Sequence, residues 1–264
     1  MCQPHGAGLL DFALRVVRDR AVAAIVVQKT FDRAAGAGHI PTDVKPWIYA
    51  LARNVALDGL RYRRRPSRWT EETREGLDFT KIDAGRLSDP SAVLFDKQLI
   101  ELVWETAASM DLEDYSLLDL HLRRGLSASV LAEHLGPTVN VSASKIADLR
   151  DSFEDSVFAV LLATRVRRSC AGLDNALSGL GTEAASPEVR RAVQRHLKDC
   201  QACRESRRGL VSPAEVLAGF APMASPAGLQ EDVVGRPADD GRDRASPNRL
   251  RWVFFRHSVP APGG

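Results

Sequence analysis

Three cysteines and one histidine between residues 170 and 203 have the types and the spacing of a metal site. The pattern is C-x25-H-x3-C-x2-C, and its members are Cys170, His196, Cys200 and Cys203. On a helix, His196 and Cys200 would lie one turn apart on the same face, with Cys203 close behind them. Three thiolates and one imidazole form the closed tetrahedral set of a structural zinc site, which leaves no position for a catalytic water. We therefore predict one structural zinc ion bound by these four residues.

Two other interpretations of the cysteines stay open. They could be free thiols, or Cys200 and Cys203 could form a redox couple, although a dithiol would not need His196 and Cys170 at compatible positions. A thiolate zinc site could also release its metal when its thiolates are oxidised. Cys2 lies outside the pattern and receives no role. A helix that begins at Ser186 and Pro187 would position the histidine.

A second stretch, from Lys45 to Arg65, combines an apolar stripe with a row of cations. Apolar residues recur at helical spacing, and the opposite face ends in an arginine run. The apolar residues are Trp47, Ile48, Leu51, Val55 and Leu60; the polar ones are Arg53, Asn54, Asp58 and Arg61, followed by Arg63, Arg64 and Arg65. Such a helix is either a core helix with a solvated basic end or a surface that faces a polyanion.

The sequence of residues 47–61, WIYALARNVALDGLR, resembles the second conserved region of extracytoplasmic-function sigma factors. These proteins are the promoter-specificity subunits of bacterial RNA polymerase. The resemblance implies contacts with the single-stranded −10 promoter element, and arginine suits phosphate because its planar fork is permanently charged. It also implies that a loop at 36–43, where Thr42 lies, receives a flipped base. The implied −10 residues are His39, Lys45, Arg53, Asn54, Arg61, Arg63 and Arg64.

The helix before this stretch resembles the family's polymerase-binding helix in part. Gln28 and Phe31 match the family pattern and are the implied polymerase contacts. Ala23 and Ala24 stand where the family has acidic residues, and Lys29 stands where it has glutamate. These departures weaken the expected contact with the polymerase clamp.

Residues 91–165 return to helical periodicity. Asp111 is the expected N-cap of a helix from Leu112 to Arg123, and Ser127 is the expected N-cap of a short helix from Ala128 to Leu135. A further helix beginning near Ser142 completes the outline of a helix-turn-helix and resembles the fourth conserved sigma region, which reads the −35 element. The implied −35 contacts are Ser142, Ser144, Lys145 and Arg150. Four carboxylates on the same helix oppose binding to DNA phosphates, so we expect weak or restricted binding there; they are Asp148, Asp151, Glu154 and Asp155.

The composition limits the remaining possibilities. The net charge of the 264 residues is only +2, so any nucleic-acid contact must be local. No apolar run is long enough to cross a membrane, and the N-terminus lacks the features of a signal peptide, so a cytoplasmic protein is expected. Residues 66–90 are charged and contain proline and glycine, as is typical of a flexible linker. Residues 209–264 are expected to be largely disordered, except for an aromatic and basic end at 250–256 that could dock on the chain.

The sequence thus predicts an all-α protein. Its expected parts are a first sigma-like domain at 1–65, a linker at 66–90, a helix-turn-helix domain at 91–165, a small helical zinc module at 166–208 and a tail at 209–264. The H-x3-C-x2-C spacing is similar to that of zinc-binding anti-sigma domains, which implies contact between the module and the sigma-like domains. The expected function is that of a sigma factor, with core RNA polymerase and promoter DNA as partners and no enzymatic activity. The alternative is a degenerate relative that binds polymerase or another regulator without opening promoters.

Overall fold

The part of the protein that the structure describes is mostly helical. The computed structural model describes residues 3–61, 81–86, 97–137, 139–180 and 186–221. Of these residues 79% are helical and none belongs to a strand, so the prediction of an all-α fold is confirmed at the level of class. Within this part no helix combines the length and the apolar character needed to cross a bilayer. Arg63, Arg64, Cys2, most of the linker and the aromatic end at 250–256 lie outside the described residues.

Three helices form the N-terminal unit: α1 (Gln3–Val17), α2 (Arg20–Ala35) and α3 (Val44–Arg61). Asp19 caps α2, because its carboxylate accepts a hydrogen bond from the backbone N–H of Val22 at 2.9 Å. The stripe predicted for α3 packs inward, with Ile48 and Val55 buried and Trp47 partly buried against the same core. Two charged residues of α1, Asp11 and Arg15, are also buried among its apolar side chains.

Four helices form the central unit: α4 (Lys97–Ser109), α5 (Leu112–Leu122), α6 (Ala128–Leu135) and α7 (Ala143–Leu161). The predicted N-caps are confirmed, since Asp111 accepts from two backbone N–H groups of α5 and Ser127 accepts from one of α6. Ser142 caps α7 in the same way. Gly125, with φ of 71°, follows α5 and occupies the left-handed region that favours glycine.

The cysteine module is formed by the described residues of 162–208. A π turn at Leu162–Val166 and a 3-10 turn at Arg167–Ser169 continue from α7 into α8 (Ala171–Leu177), which is followed by α9 (Pro187–Asp199) and α10 (Gln201–Arg208). Ser186 caps α9, and Pro187 occupies its first turn, as predicted. A last helix, α11 (Pro213–Gly219), leaves the module and returns to the central unit.

The N-terminal and central units share one hydrophobic core. Helices α5 and α6 pack against α3, and α5 also packs against α1. The same core continues to Phe220, beyond the end of α11. Ile82, one of the few described residues of the linker, forms an isolated antiparallel bridge with Phe220. The two units that the sequence predicted as separate domains are therefore in direct contact in this structure.

Candidate metal centre and predicted nucleic-acid contacts

The four predicted metal ligands come from the ends of three short helices. Cys170 is the residue before α8, and His196 lies in the last turn of α9. Cys200 is the junction between α9 and α10, and Cys203 lies in the first turn of α10. The sharp change of direction at Cys200, where the backbone is extended (φ −105°, ψ 107°), turns Cys203 back toward the histidine.

The distances between the donor atoms fit one metal ion. All four ligand atoms lie within 4.8 Å of one another. His196 Nε2 lies 3.4 Å from Cys170 Sγ and 3.3 Å from Cys203 Sγ, and Cys170 Sγ lies 4.0 Å from Cys200 Sγ. A tetrahedral zinc ion with bonds of about 2.3 Å to sulfur and about 2.0 Å to nitrogen needs separations of roughly 3.8 Å between sulfurs and 3.5 Å between sulfur and nitrogen. The cluster can therefore hold a single ion without rearrangement of the backbone.

The absence of a side chain at position 172 makes room for the histidine ring. A Cβ atom at Gly172 would lie 3.1 Å from His196 Cε1 and 3.6 Å from Nδ1. The contact with Cε1 is tighter than normal, so the imidazole would have to shift by a few tenths of an ångström. Gly172 therefore helps to place Nε2 among the sulfur atoms.

The surroundings of Cys200 and Cys203 shift the pKa values of their thiols in opposite directions. Burial raises the pKa of the Cys203 thiol to about 12, and Cys203 is only 1% exposed. The backbone N–H of Cys203 lowers the pKa of Cys200. A metal that binds here must displace the Cys203 proton, so its affinity falls as the pH falls.

Contacts outside the cluster hold the turn between α9 and α10. Arg204 Nη1 donates to the backbone oxygens of Leu197 and Lys198 at 2.9 and 2.7 Å, which satisfies carbonyl groups at the end of α9. Arg167 Nε pairs with Asp174 Oδ1 at 2.6 Å and joins the 3-10 turn to α8. The first contact thus ties α10 to the end of α9, and the second ties the turn before Cys170 to α8.

The cysteine module packs against the outer face of α7. Arg207 Nη2 pairs with Asp155 Oδ1 at 2.6 Å, and its guanidinium lies 4.6 Å from the centre of the Phe158 ring. Gln194 Nε2 donates to the other oxygen of Asp155 at 3.0 Å, and Arg190 Nη1 donates to Ser156 Oγ at 2.9 Å. Acidic and hydroxyl groups in the C-terminal half of α7 are thus in contact with the module.

No family model, curated protein or solved structure matches the chain. The metal-binding capacity of the cluster therefore rests on its own distances and donor atoms.

The residues predicted to contact the −10 strand do not form one exposed surface. Arg53 is 1% exposed, and it donates from Nε to Ser116 Oγ at 2.8 Å and from Nη2 to the Glu113 backbone oxygen at 3.4 Å, both in α5. Lys45 Nζ donates to the Arg124 backbone oxygen at 2.7 Å. Of the others, Asn54 is half-buried and His39 is exposed. Arg61 is the last residue of α3.

Three of the residues predicted to contact the −35 element, Ser142, Ser144 and Lys145, lie at the start of α7, and Arg150 lies two turns further along the helix. Ser142 Oγ caps the helix through the Lys145 backbone N–H at 3.1 Å and lies 2.9 Å from Ser144 Oγ. Lys145 Nζ pairs with Asp114 at 2.9 Å, and Arg150 Nε pairs with Glu154 at 3.5 Å. Both basic side chains thus already have acidic neighbours.

The two residues predicted to bind polymerase differ in exposure. Gln28 is exposed on α2, whereas Phe31 is partly buried and packs against the large core. Ala23, one of the two positions where the resemblance predicts acidic residues, is fully buried, and a carboxylate there would be costly.

The sequence reasoning missed a cluster of buried charges between α1 and α5. Its members are Asp11, Arg15, Asp119, Arg123 and Arg124. The available signal was a carboxylate and an arginine four residues apart in each of two apolar helices, at Asp11 and Arg15 and again at Asp119 and Arg123.

Proposed function

We propose that this chain is a sigma-type transcription factor that directs RNA polymerase to promoters and carries a structural zinc site in its cysteine module. The observation that supports the function is the ordered run of residues 47–61, which resembles the promoter-melting region of extracytoplasmic-function sigma factors. That run lies on one continuous helix, α3, with its apolar side toward the core. Such a protein works in the cytoplasm and performs no bond-making chemistry itself.

The central unit would bind the duplex upstream of the melted strand. The start of α7 offers two hydroxyl groups, backbone N–H groups and the partly exposed cation Lys145, and the exposed Arg150 follows two turns later. The positive end of a helix dipole and its free N–H groups favour phosphate. The pairs with Asp114 and Glu154 hold these cations in place, but the two carboxylates also offset the local positive potential, which is consistent with modest affinity for DNA.

Zinc is the ion that best fits the cysteine module. Three sulfur donors and one imidazole nitrogen favour zinc over the oxygen-preferring calcium and magnesium ions. When bound, the ion would act as a structural cross-link between the ends of α8, α9 and α10. The buried Cys203 and the histidine held beside Gly172 complete a set of four ligands.

Metal analysis of the purified full chain tests the zinc assignment. We expect about one zinc ion per chain, and loss of most of it in Cys203→Ser and His196→Ala. Cys2→Ser is the matched control, because it removes a thiol outside the pattern and should leave the zinc content unchanged. A chain that holds zinc equally well after Cys203→Ser would reject the site.

Transcription with purified core polymerase tests the function. The full chain, core enzyme and a library of genomic fragments from the source organism are combined, and initiated transcripts are sequenced. We expect transcripts that begin at defined sites only when the chain is present. The proposal would be rejected if the chain neither bound the core enzyme nor directed site-selective initiation.

A second function is favoured by the buried position of Arg53. The chain could be a degenerate relative that binds polymerase, or another regulator, without opening promoters. In that case Arg53 is a structural residue, and its hydrogen bonds to α5 are its entire role. Core-enzyme binding without initiated transcripts in the same experiment would favour this alternative.

A further inference from the structure

The segment that follows the cysteine module packs on the central unit and reaches α1 at its end. We name residues 213–221 the strap; it consists of α11 and the two residues after it. Val216, Leu217 and Phe220 of the strap are fully buried. Helix α11 packs against α4, α5 and α7, and the Phe220 ring meets the Trp104 ring edge-on at 5.9 Å between centroids.

The strap is bonded to both units through its last carbonyl groups. Arg15 of α1 donates from Nη2 to the Ala221 backbone oxygen at 3.1 Å. Arg123, at the end of α5, donates from Nη2 to the Phe220 backbone oxygen at 3.0 Å. The linker also joins this end, since Lys81 O accepts from the Ala221 N–H and the Asp83 N–H donates to Gly219 O, each at 2.8 Å.

Under the strap lies the buried charge cluster that connects α1 with α5. Arg123 Nη1 lies 3.0 Å from both Asp11 Oδ2 and Asp119 Oδ2, and Arg124 is hydrogen-bonded to Asp11 as well. The cluster of Asp11, Arg15, Asp119, Arg123 and Arg124 brings three guanidinium groups against two carboxylates. Buried charges need partners, and the strap carbonyls supply acceptors for two of the three arginines. Departure of the strap would leave those two arginines with fewer acceptors and would favour separation of α1 from α5.

The contact between the two units occupies part of the face that the proposed function assigns to DNA. Arg53 is bound to Ser116 and Glu113 of α5, and Lys45 is bound to the backbone of Arg124. Neither cation can reach a phosphate while these contacts hold. The α3 face is therefore available to a single strand only after the N-terminal and central units separate.

We propose that the strap is an internal lock, which keeps the two units closed and withholds Arg53 and Lys45 of α3 from single-stranded DNA until it is displaced. This inference rests on the proposed function of α3. The lock is adjacent in sequence to the cysteine module, and Ser212, the N-cap of α11, donates a hydrogen bond to Glu154 of α7. The position of the module on α7 thus fixes where the strap enters.

Val216→Asp in the full chain tests the lock, because a carboxylate at this fully buried position opposes insertion of the strap. Ser206→Asp is the matched control, since it adds the same charge at an exposed position of α10. Deuterium exchange of α3 and α5 amides measures opening, and a fluorescent single-stranded oligonucleotide measures binding. We expect faster exchange in both helices and binding at least about tenfold tighter, because the apparent affinity of a protein scales with its competent fraction. Phe220→Ala, which removes the ring beside Trp104, serves as a second variant if Val216→Asp aggregates.

The outcomes separate the lock from the function on which it rests. Unchanged exchange in α3 and α5 overturns the lock whatever the binding result. Faster exchange without tighter binding, in a chain that directs initiation, also overturns it. Faster exchange in a chain that neither binds DNA nor directs initiation in any variant overturns the proposed function and this inference with it.

Discussion

The large core and the core of the cysteine module are held together in different ways. The large core draws apolar residues from α1 to α7 and from the strap, and it encloses five buried charged residues that pair with one another. The module core is a short set of aliphatic residues from α8, α9 and the end of α7, with Cys203 at its edge. A small core rarely supplies enough apolar burial to fold alone and is commonly supplemented by a metal or by disulfides. The comparison predicts that apolar packing stabilises the large core and that a bound metal ion would stabilise the module.

The comparison predicts the largest effect for removal of the metal. Treatment with a strong chelator should remove the amide protection of α9 and α10 while that of α1 and α5 is largely kept. Apparent binding free energies of structural zinc are on the order of 10–16 kcal/mol, more than a core of this size supplies. Peptide-level deuterium exchange measures both regions in one experiment. Uniform loss of protection throughout the chain would contradict the proposed difference between the large core and the cysteine module.

A charge deletion in the large core should have the next largest effect. Asp119→Ala leaves Arg123 and Arg124 without one of their two carboxylate partners in a site that excludes water. Burial alone would lower the pKa of Arg123, but the charges of Asp119 and Asp11 outweigh it and raise that pKa, so both carboxylates stabilise the cation. Breaking a buried pair costs about 3–5 kcal/mol in unfolding free energy.

Denaturant unfolding of the full chain measures that cost. Glu101→Ala is the control, because the pair between Glu101 and Lys97 is exposed and exposed pairs contribute about 0–1 kcal/mol. Equal losses of stability in the two variants would show that the buried cluster does not hold the large core together.

Arg53→Ala should have a smaller effect on the same core. The substitution leaves Ser116 Oγ without the donor that Arg53 supplies, while the Glu113 carbonyl oxygen keeps its hydrogen bond from Ser116. It should lower the unfolding free energy by about 1–3 kcal/mol. His39→Ala, at an exposed loop position, should change it by less than about 0.5 kcal/mol. Denaturant midpoints compare the two. A stability loss no greater than that of His39→Ala would mean that the Arg53 side chain is exposed to solvent and not buried between α3 and α5.

The smallest effect on stability is expected at the start of α7. Lys145→Ala removes a partly exposed pair with Asp114 and should cost less than about 1 kcal/mol. If Lys145 neutralises one phosphate, the slope of log affinity for duplex DNA against log salt should become shallower by about 0.9. Lys97→Ala, a highly exposed cation on α4, is the control and should leave the slope unchanged. Equal slopes for Lys145→Ala and the unaltered chain would remove Lys145 from the predicted DNA contacts.

Local features of the fold could be predicted because their causes are local. Asp111, Ser127 and Ser186 are N-caps, and each accepts from a backbone N–H only two or three residues ahead in the chain. The metal cluster was also predictable in its members, because His196, Cys200 and Cys203 are positioned by consecutive helix ends. Cys170 is distant in sequence, but its residue type and the missing fourth ligand identified it.

The sequence by itself determined the helices, their caps and the four donor atoms of the metal site. Only the tertiary structure decided which charged residues are buried, because hydrophobic periodicity marks one face of a helix and does not say what covers the other. Arg53 lies on the polar side of α3, yet α5 covers it. Asp11 meets Arg123 across 112 residues of chain, and the carbonyl oxygens of the strap complete that contact. Pairings over such distances depend on how the helices pack together, which no local pattern specifies.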